Sequence, residues 1–214
     1  RGILRLTRER VFEPLGMRRS AYMSRPDLEV NRAEPHSNRG VPVESFNTRV
    51  SRGMHELAAT ASKSMDDWTH EDAERAAPTV NPNNPALPNF LLPNVAGSLL
   101  TTANDYSLFL RHLLGLSVAP AGGRTVLDRM LTPQVTINEA IRWGLGVGLQ
   151  SVDAGPGDQF WHWGDSGGVK AFVLGDPATR SAVVVFTNGN SGRAVYERVV
   201  RAVRGADQAA FLWI

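Results

Sequence analysis

The stretch FWHWGDSGGVKAFVLGDPATRSAVVVFTNG, Phe160 to Gly189, decides the fold. Residues 168–175 (GVKAFVLG) and 181–188 (SAVVVFTN) are apolar and β-branched, and DPATR between them carries turn residues. That pattern predicts two antiparallel strands joined by a hairpin turn. Just upstream, QFWHWG (159–164) reads as a short aromatic strand, with His162 set between Trp161 and Trp163. His162 has two readings at this point. It is a core histidine packed among aromatics, or a polar group of a site on a sheet edge.

Working outward, RWGLGVGLQS (142–151) alternates glycine with apolar residues and reads as one more strand. Downstream, SGRAVYERVVRAVRG (191–205) spaces Val195, Val199 and Val203 by four, flanks them with Tyr196 and Val200, and ends on Gly205. This is a helix with a glycine stop. AGSLLTTANDYSLFLRHLLG (96–115) predicts another helix. Thr102 and Asp105 form a capping box, Tyr106, Phe109, Leu110, Leu113 and Leu114 make one apolar face, and Gly115 is the stop. Residues 3–12 predict a short amphipathic helix, stopped by Pro14 and Gly16. Between 18 and 95 the sequence shows little periodicity and carries prolines at 26, 35, 42, 78, 82, 85, 88 and 93, so a loop-rich region is expected. One helical island is expected around MDDWTHEDAERAA (65–77), capped by Asp66 or Asp67. The succession predicts an α+β domain spanning 1–214, with an antiparallel sheet over 142–188 and the last helix on one sheet face.

Composition narrows the chemistry. The 214 residues are 42% hydrophobic, enough for a core, and no apolar run approaches the ~20 residues of a membrane span. The net charge is only +2, and the arginines are interleaved with Asp and Glu, which argues against a nucleic-acid surface. Cysteine is absent, so disulfides, a thiol nucleophile and thiolate metal sites are excluded. His36, His55, His70 and His112 lack metal-ligand spacing. The glycines at 144, 146 and 148 form no nucleotide loop, since no glycine-rich strand-to-helix turn follows.

Four segments in order, RVFEPLGMRRSAYM (10–23), AGSLLTTANDYSLFLRHLL (96–114), WGLGVGL (143–149) and the opening stretch, resemble the serine β-lactamase and penicillin-binding-protein superfamily. The resemblance is to the branch of class C β-lactamases, esterases and D-peptidases. It implies a β-lactamase/transpeptidase-like fold and acyl-enzyme chemistry on esters, D-amino-acid peptides or β-lactams, with no cofactor and no metal. His162-Trp163-Gly164 matches the family's third motif, Lys-Thr-Gly or His-x-Gly. By resemblance His162 and the backbone N–H of Asp165, as oxyanion donor, are catalytic, while Trp163 and Gly164 bind substrate. An outermost strand is expected here, with open N–H groups and a glycine where the substrate backbone approaches.

The other two motifs do not match. Residues three before Lys63 and Lys170 are Thr60 and Gly167, so no Ser-x-x-Lys is present, and no tyrosine begins a Tyr-x-Asn. Thr60-Ala61-Ser62-Lys63 and Ser45-Phe46-Asn47 imitate the motifs, but both follow EPLGM, on the wrong side of it. The expectation is that the nucleophile, its base and the first strands lie upstream, so that the missing N-terminal half is a partner along with a small-molecule or peptide acyl substrate. The alternative is a truncated, non-catalytic relative that binds or regulates. The chain opens on Arg1 inside a helical pattern, so no leader is read from it. The resemblance favours a bacterial periplasmic or extracellular setting.

Overall fold

Val135–Thr136 (β1), Ile141–Trp143 (β2), Gly148–Ser151 (β3), Asp158–Asp165 (β4), Lys170–Asp176 (β5) and Ser181–Thr187 (β6) form one antiparallel sheet in the order β1 to β6. The structure, a computed structural model, describes residues 2–23, 25–44, 46–59, 63–80, 94–117, 123–151 and 158–214. Strand alternation sorts the core onto two sheet faces. Trp161, Phe172 and Leu174 point to one face, where they pack with Tyr196 and Val200 of Gly192–Arg204 (α8) and Phe211 of Ala210–Trp213 (α9). Phe160, Val173 and Leu149 point to the other and meet Leu110 and Leu113 of Ala103–Leu113 (α6), with Leu127 and Met130 of Gly123–Met130 (α7) beside them. Each fully buried Phe or Leu contributes about 1.5–3 kcal/mol through removal of apolar surface from water.

The stretch 142–151, expected as one strand, is two short strands around a turn, and its glycines are the cause. A side chain at Gly144 would sit 2.1 Å from the Met130 carbonyl oxygen, and Gly146 has φ +76°. The region 18–95, expected to be loop-rich, contains Pro26–Glu29 (α3), Phe46–Ala59 (α4), a 3-10 turn at Met65–Asp67 and His70–Val80 (α5). Met23, Leu57, Trp68 and Ala73 bury one another there, so tertiary packing supplies the helical stability that the sequence period conceals. Four of the eight prolines, at 82, 85, 88 and 93, lie outside the described residues. Neither Asp66 nor Asp67 caps α5. Thr69 does, its Oγ1 accepting from the Asp72 N–H at 3.4 Å while its own N–H donates to the Asp72 carboxylate at 2.8 Å, a capping box with Asp in place of Glu.

At the N-terminus Ile3–Thr7 (α1), a π-helical stretch Arg8–Phe12 and Glu13–Leu15 (α2) run on as one helical segment through Pro14, and Gly16 at φ +74° ends it. At α6, Thr102 Oγ1 accepts from the Asp105 N–H at 3.1 Å. The Asp105 carboxylate does not close the box. It is buried and accepts from the Arg19 N–H at 2.7 Å and the Ser20 hydroxyl at 2.9 Å, tying α6 to the chain after α2. At the opposite end of the sheet, Gln150 donates to Gln159 and Gln208, Gln159 donates to Asp176, and Arg204 of α8 donates to Asp176 at 2.5 Å. This closed polar network locks the C-terminal helices onto the strands. Among the described residues no helix is long and apolar enough to cross a membrane.

Candidate active site

The His-Trp-Gly triplet sits where one strand outruns its neighbour. β3 pairs with β4 only from Ser151↔Asp158 to Gly148↔Trp161. β5 continues alongside to Asp165↔Lys170. Residues 162–165 are therefore held by β5 on one side and pass the end of β3 on the other. The expected outermost strand is thus corrected: β4 is fourth of six, and only its last four residues form an edge.

His162 is half-buried, and its ring packs among aromatics. It stacks on Trp163, with centroids 5.4 Å apart at 22°, and meets Trp143 of β2 edge-on at 6.0 Å. The ring thus lies on the flank where β3 has ended. There Nδ1 is 2.8 Å from the Trp163 carbonyl oxygen. A carbonyl only accepts, so Nδ1 carries the hydrogen, and in the neutral ring Nε2 holds the lone pair. The aromatic packing fixes the ring plane, and the backbone bond fixes the tautomer. Trp161 is fully buried, and its ring covers Gly148, where an added Cβ would lie 2.4 Å from Cε2.

Beyond the triplet the chain turns tightly. The Asp165 carboxylate accepts from the Gly167 N–H at 3.1 Å and from the Lys170 ammonium, which also donates to the Gly167 carbonyl at 2.9 Å. Gly168 is packed against a strap: an added Cβ would meet Val43 at 2.6 Å and Pro35 at 2.7 Å. The His36 N–H donates to the Asn188 carbonyl at 2.8 Å, which joins that strap to the end of β6.

A cleft of 780 Å³ runs from this strand end across the α6 face of the sheet. All four residues His162 to Asp165 line it, together with Arg19, Thr102, Tyr106, Phe109, Lys170 and Phe186. A second cleft of 640 Å³, lined by Ser37, Glu44 and Asn190, shares Asp165 and Ser166 with the first. Tyr106 packs edge-on against Phe109 at 5.6 Å and Phe186 at 5.7 Å, and burial pushes its phenol above the usual range. Lys170 was considered in the sequence only as a Ser-x-x-Lys candidate. Its position as the cross-strand partner of Asp165 across a four-residue turn is the signal for the ion pair between the two.

Of the imitation motifs, Ser45, Thr60, Ala61 and Ser62 lie outside the described residues. Lys63 is not among the residues that line this cleft, and its ammonium donates to Asp72 at 2.6 Å. Trp143 packs against the core of the α8 face. Among the described residues no group of three His, Asp or Glu side chains could hold a metal ion.

A comparison with family models matches residues 1–206 to the one described as Beta-lactamase. A comparison with curated proteins finds no match. Among solved structures, the chain is similar to a D-alanine carboxypeptidase from Burkholderia cenocepacia, with a TM-score of 0.62 at 15% identity over 94% of this chain and 54% of that one. A beta-lactamase/D-alanine carboxypeptidase from Pseudomonas syringae gives a TM-score of 0.64 at 12% identity over 95% of this chain and 53% of that one. The octameric penicillin-binding protein homologue from Pyrococcus abyssi gives 0.56 at 15% identity over 95% and 38%. At such identities the likeness is one of fold, and the chain spans about half the length of the first two.

Proposed function

The chain belongs to the beta-lactamase family, and from that premise we propose that it forms part of a serine hydrolase acting through an acyl-enzyme on esters, D-amino-acid peptides or β-lactams. The observation that carries this is the overhang of residues 162–165, one side open beside a cleft and the other fixed by β5. An extended acyl substrate lies along that open side as an added strand. The backbone N–H of Asp165 donates to the oxyanion, Gly164 leaves room for the substrate backbone, and Trp163 walls the pocket.

No residue of the cleft is a serine–lysine pair, so the nucleophile and its base come from polypeptide outside these residues. Its hydroxyl attacks the carbonyl and passes its proton to the base. The tetrahedral oxyanion then collapses, expelling the alcohol or amine with a proton, and water repeats the sequence to release the acid. His162, its Nδ1–H held by the Trp163 carbonyl, stands near the substrate in place of a lysine. An imidazole in place of a lysine tilts the reading toward ester or peptide substrates over rapid β-lactam turnover. The absence of Ser-x-x-Lys and Tyr-x-Asn from all 214 residues favours a second reading, a non-catalytic relative that binds acyl-peptide fragments.

Hydrolysis of p-nitrophenyl esters and nitrocefin separates these readings. The 214 residues alone are expected to be inactive, and the full translation product of the gene active, with His162→Ala lowering kcat by about 10²–10⁴-fold. Turnover by the 214 residues alone refutes the external nucleophile. An inactive full product refutes the hydrolase.

A further inference from the structure

We infer that the open lane beside residues 162–165 receives an aromatic group of the substrate, seated on Trp163 and Trp143. The inference rests on the hydrolase reading for the identity of the ligand as a substrate. The seat itself follows from the sheet register and from the rings.

Register places the gap. Leu149 pairs with Phe160 and Gly148 with Trp161. Continued by two residues, β3 would set position 146 opposite Trp163. Instead the chain turns: Gly146 has φ +76°, the Gly144 N–H donates to the Val147 carbonyl at 2.8 Å, and the Leu145 N–H donates to the Met130 carbonyl at 3.1 Å. The place opposite Trp163 is thereby left open. The cleft lining runs through Gly146 and Val147 on one side of it and through His162 and Trp163 on the other. Opposite residues of paired strands share a face. Trp163 is two residues from Trp161 and pairs with Phe172, and all three pack on the α8 face. A substrate lying along the lane as an added strand therefore sets one of its substituents on that face, against Trp163.

A second ring stands at the same place. Trp143, Gly148 and Trp161 form one row across β2, β3 and β4. Gly148 has no side chain, so the two indoles meet across it, edge-on at 5.5 Å and 87°. Trp143 also meets Trp163 edge-on, at 6.2 Å and 82°. Trp143 and Trp163 both pack on the α8-face core and both stay half-buried, which leaves ring surface at the gap. Two perpendicular indoles offer a third ring a stacked contact with one and an edge contact with the other, the two arrangements that aromatic pairs prefer. The Lys170 ammonium, two residues along β5 from Phe172, is held by Asp165. A carboxylate at this seat meets indoles in place of an open ammonium, and a neutral ring suits it better.

Two measurements on the full translation product of the gene test the inference. The first compares hydrolysis of benzyl acetate and methyl phenylacetate, which carry the ring on the alcohol or on the acyl side, with ethyl acetate and acetylcholine. The better aromatic ester is expected to exceed ethyl acetate in kcat/KM by at least about tenfold. Trp143→Ala is expected to collapse that ratio and Trp143→Phe to keep most of it, whereas a merely structural role lowers both esters alike and leaves the ratio standing. Equal kcat/KM for aromatic and ethyl esters overturns the inference, as does an unchanged ratio in Trp143→Ala. Acetylcholine outrunning both aromatic esters overturns it in favour of a cation seat. The second measurement needs no turnover. The ketone 4-phenylbutan-2-one, an uncleavable analogue of benzyl acetate, is expected to shift the indole N–H resonances of Trp143 and Trp163 saturably, each assigned by its phenylalanine variant. Buried Trp68 and the 46% exposed Trp213 should stay still. Still resonances at Trp143 and Trp163, or an equal shift at Trp213, overturn the seat. Shifts at the two indoles without turnover of any ester sink the hydrolase and keep the aromatic seat.

Discussion

Replacing Gly148 and Gly164 by alanine, one at a time, separates a glycine needed for packing from one whose space is left open. Both are in β-strands without a left-handed φ, so alanine meets no backbone strain at either. At Gly148 the new methyl lies 2.4 Å from Trp161 Cε2 and 2.5 Å from Cζ2. That indole cannot retreat: Trp143, Trp163 and Phe172 surround it at 5.5, 5.9 and 6.4 Å. Overpacking of this kind costs about 1–3 kcal/mol, and a rigid buried ring puts Gly148 in the upper half of that range. At Gly164 the methyl meets only the Ala171 Cβ at 3.5 Å, an ordinary contact. There alanine is expected to gain about 0.5–1 kcal/mol from the lower entropy of the unfolded chain. Urea or thermal unfolding followed by tryptophan fluorescence reads the difference, at about 2–4 °C per kcal/mol for a chain of this size. Gly148→Ala should lower the melting temperature by several degrees, and Gly164→Ala should hold or raise it. In the active full product, Gly164→Ala should nonetheless lower kcat/KM, because its methyl occupies the open side of the strand. Equal stability of the two variants refutes the packing argument, and unchanged kcat/KM in Gly164→Ala refutes the substrate path.

Three further outcomes follow from the geometry. Burial opposes ionisation of Asp176, but bonds from the Thr179 backbone N–H, the Gln159 amide and the Arg204 guanidinium outweigh it and hold the carboxyl down at about 2. A depressed acid stabilises the fold above its unfolded value near 4 and loses that contribution as pH falls toward 2. The stability gap between the native protein and Asp176→Asn in urea titrations should therefore shrink between pH 4 and 2, and a pH-independent gap counts against the network. Thr102→Ala removes the α6 cap and should cost about 1 kcal/mol, measured by the same titration, with no loss contradicting the capping role. Arg180 has φ 53° in the β5–β6 turn, so Arg180→Gly should raise stability by about 1 kcal/mol, whereas a loss would show that its side chain matters more than its backbone.

The sheet was legible because β5 and β6 are continuous apolar, β-branched runs with the DPATR turn between them, and β4 is a short aromatic run just upstream. The glycine repeat at 144–148 was not, because its residues are glycine for unrelated reasons. A carbonyl approaches the first, the second turns left-handed and an indole covers the third. None of these is visible without the partner atoms. The site was half legible. Residues His162 to Asp165 stood out by resemblance, and the structure lines the cleft with all four, but the open side of the strand depends on where β3 stops. That register is set by the Gly148–Trp161 pairing, and so is the position from which His162 reaches the Trp163 carbonyl. The helical island expected over 65–77 corresponds to the 3-10 turn at Met65–Asp67 and to α5, whereas α4 was hidden because Leu57 is the one buried residue it gives to the described core.

The order of the strands bears on how the molecule is made. Every strand lies beside its neighbour in sequence, so each new hairpin closes a short loop and adds to the last, and the sheet grows like a zipper from its turns. The Arg19–Asp105 contact, in contrast, joins residues 86 apart and closes late. Such a meander matures from its own turns before the contact that ties it to the N-terminal segment is made.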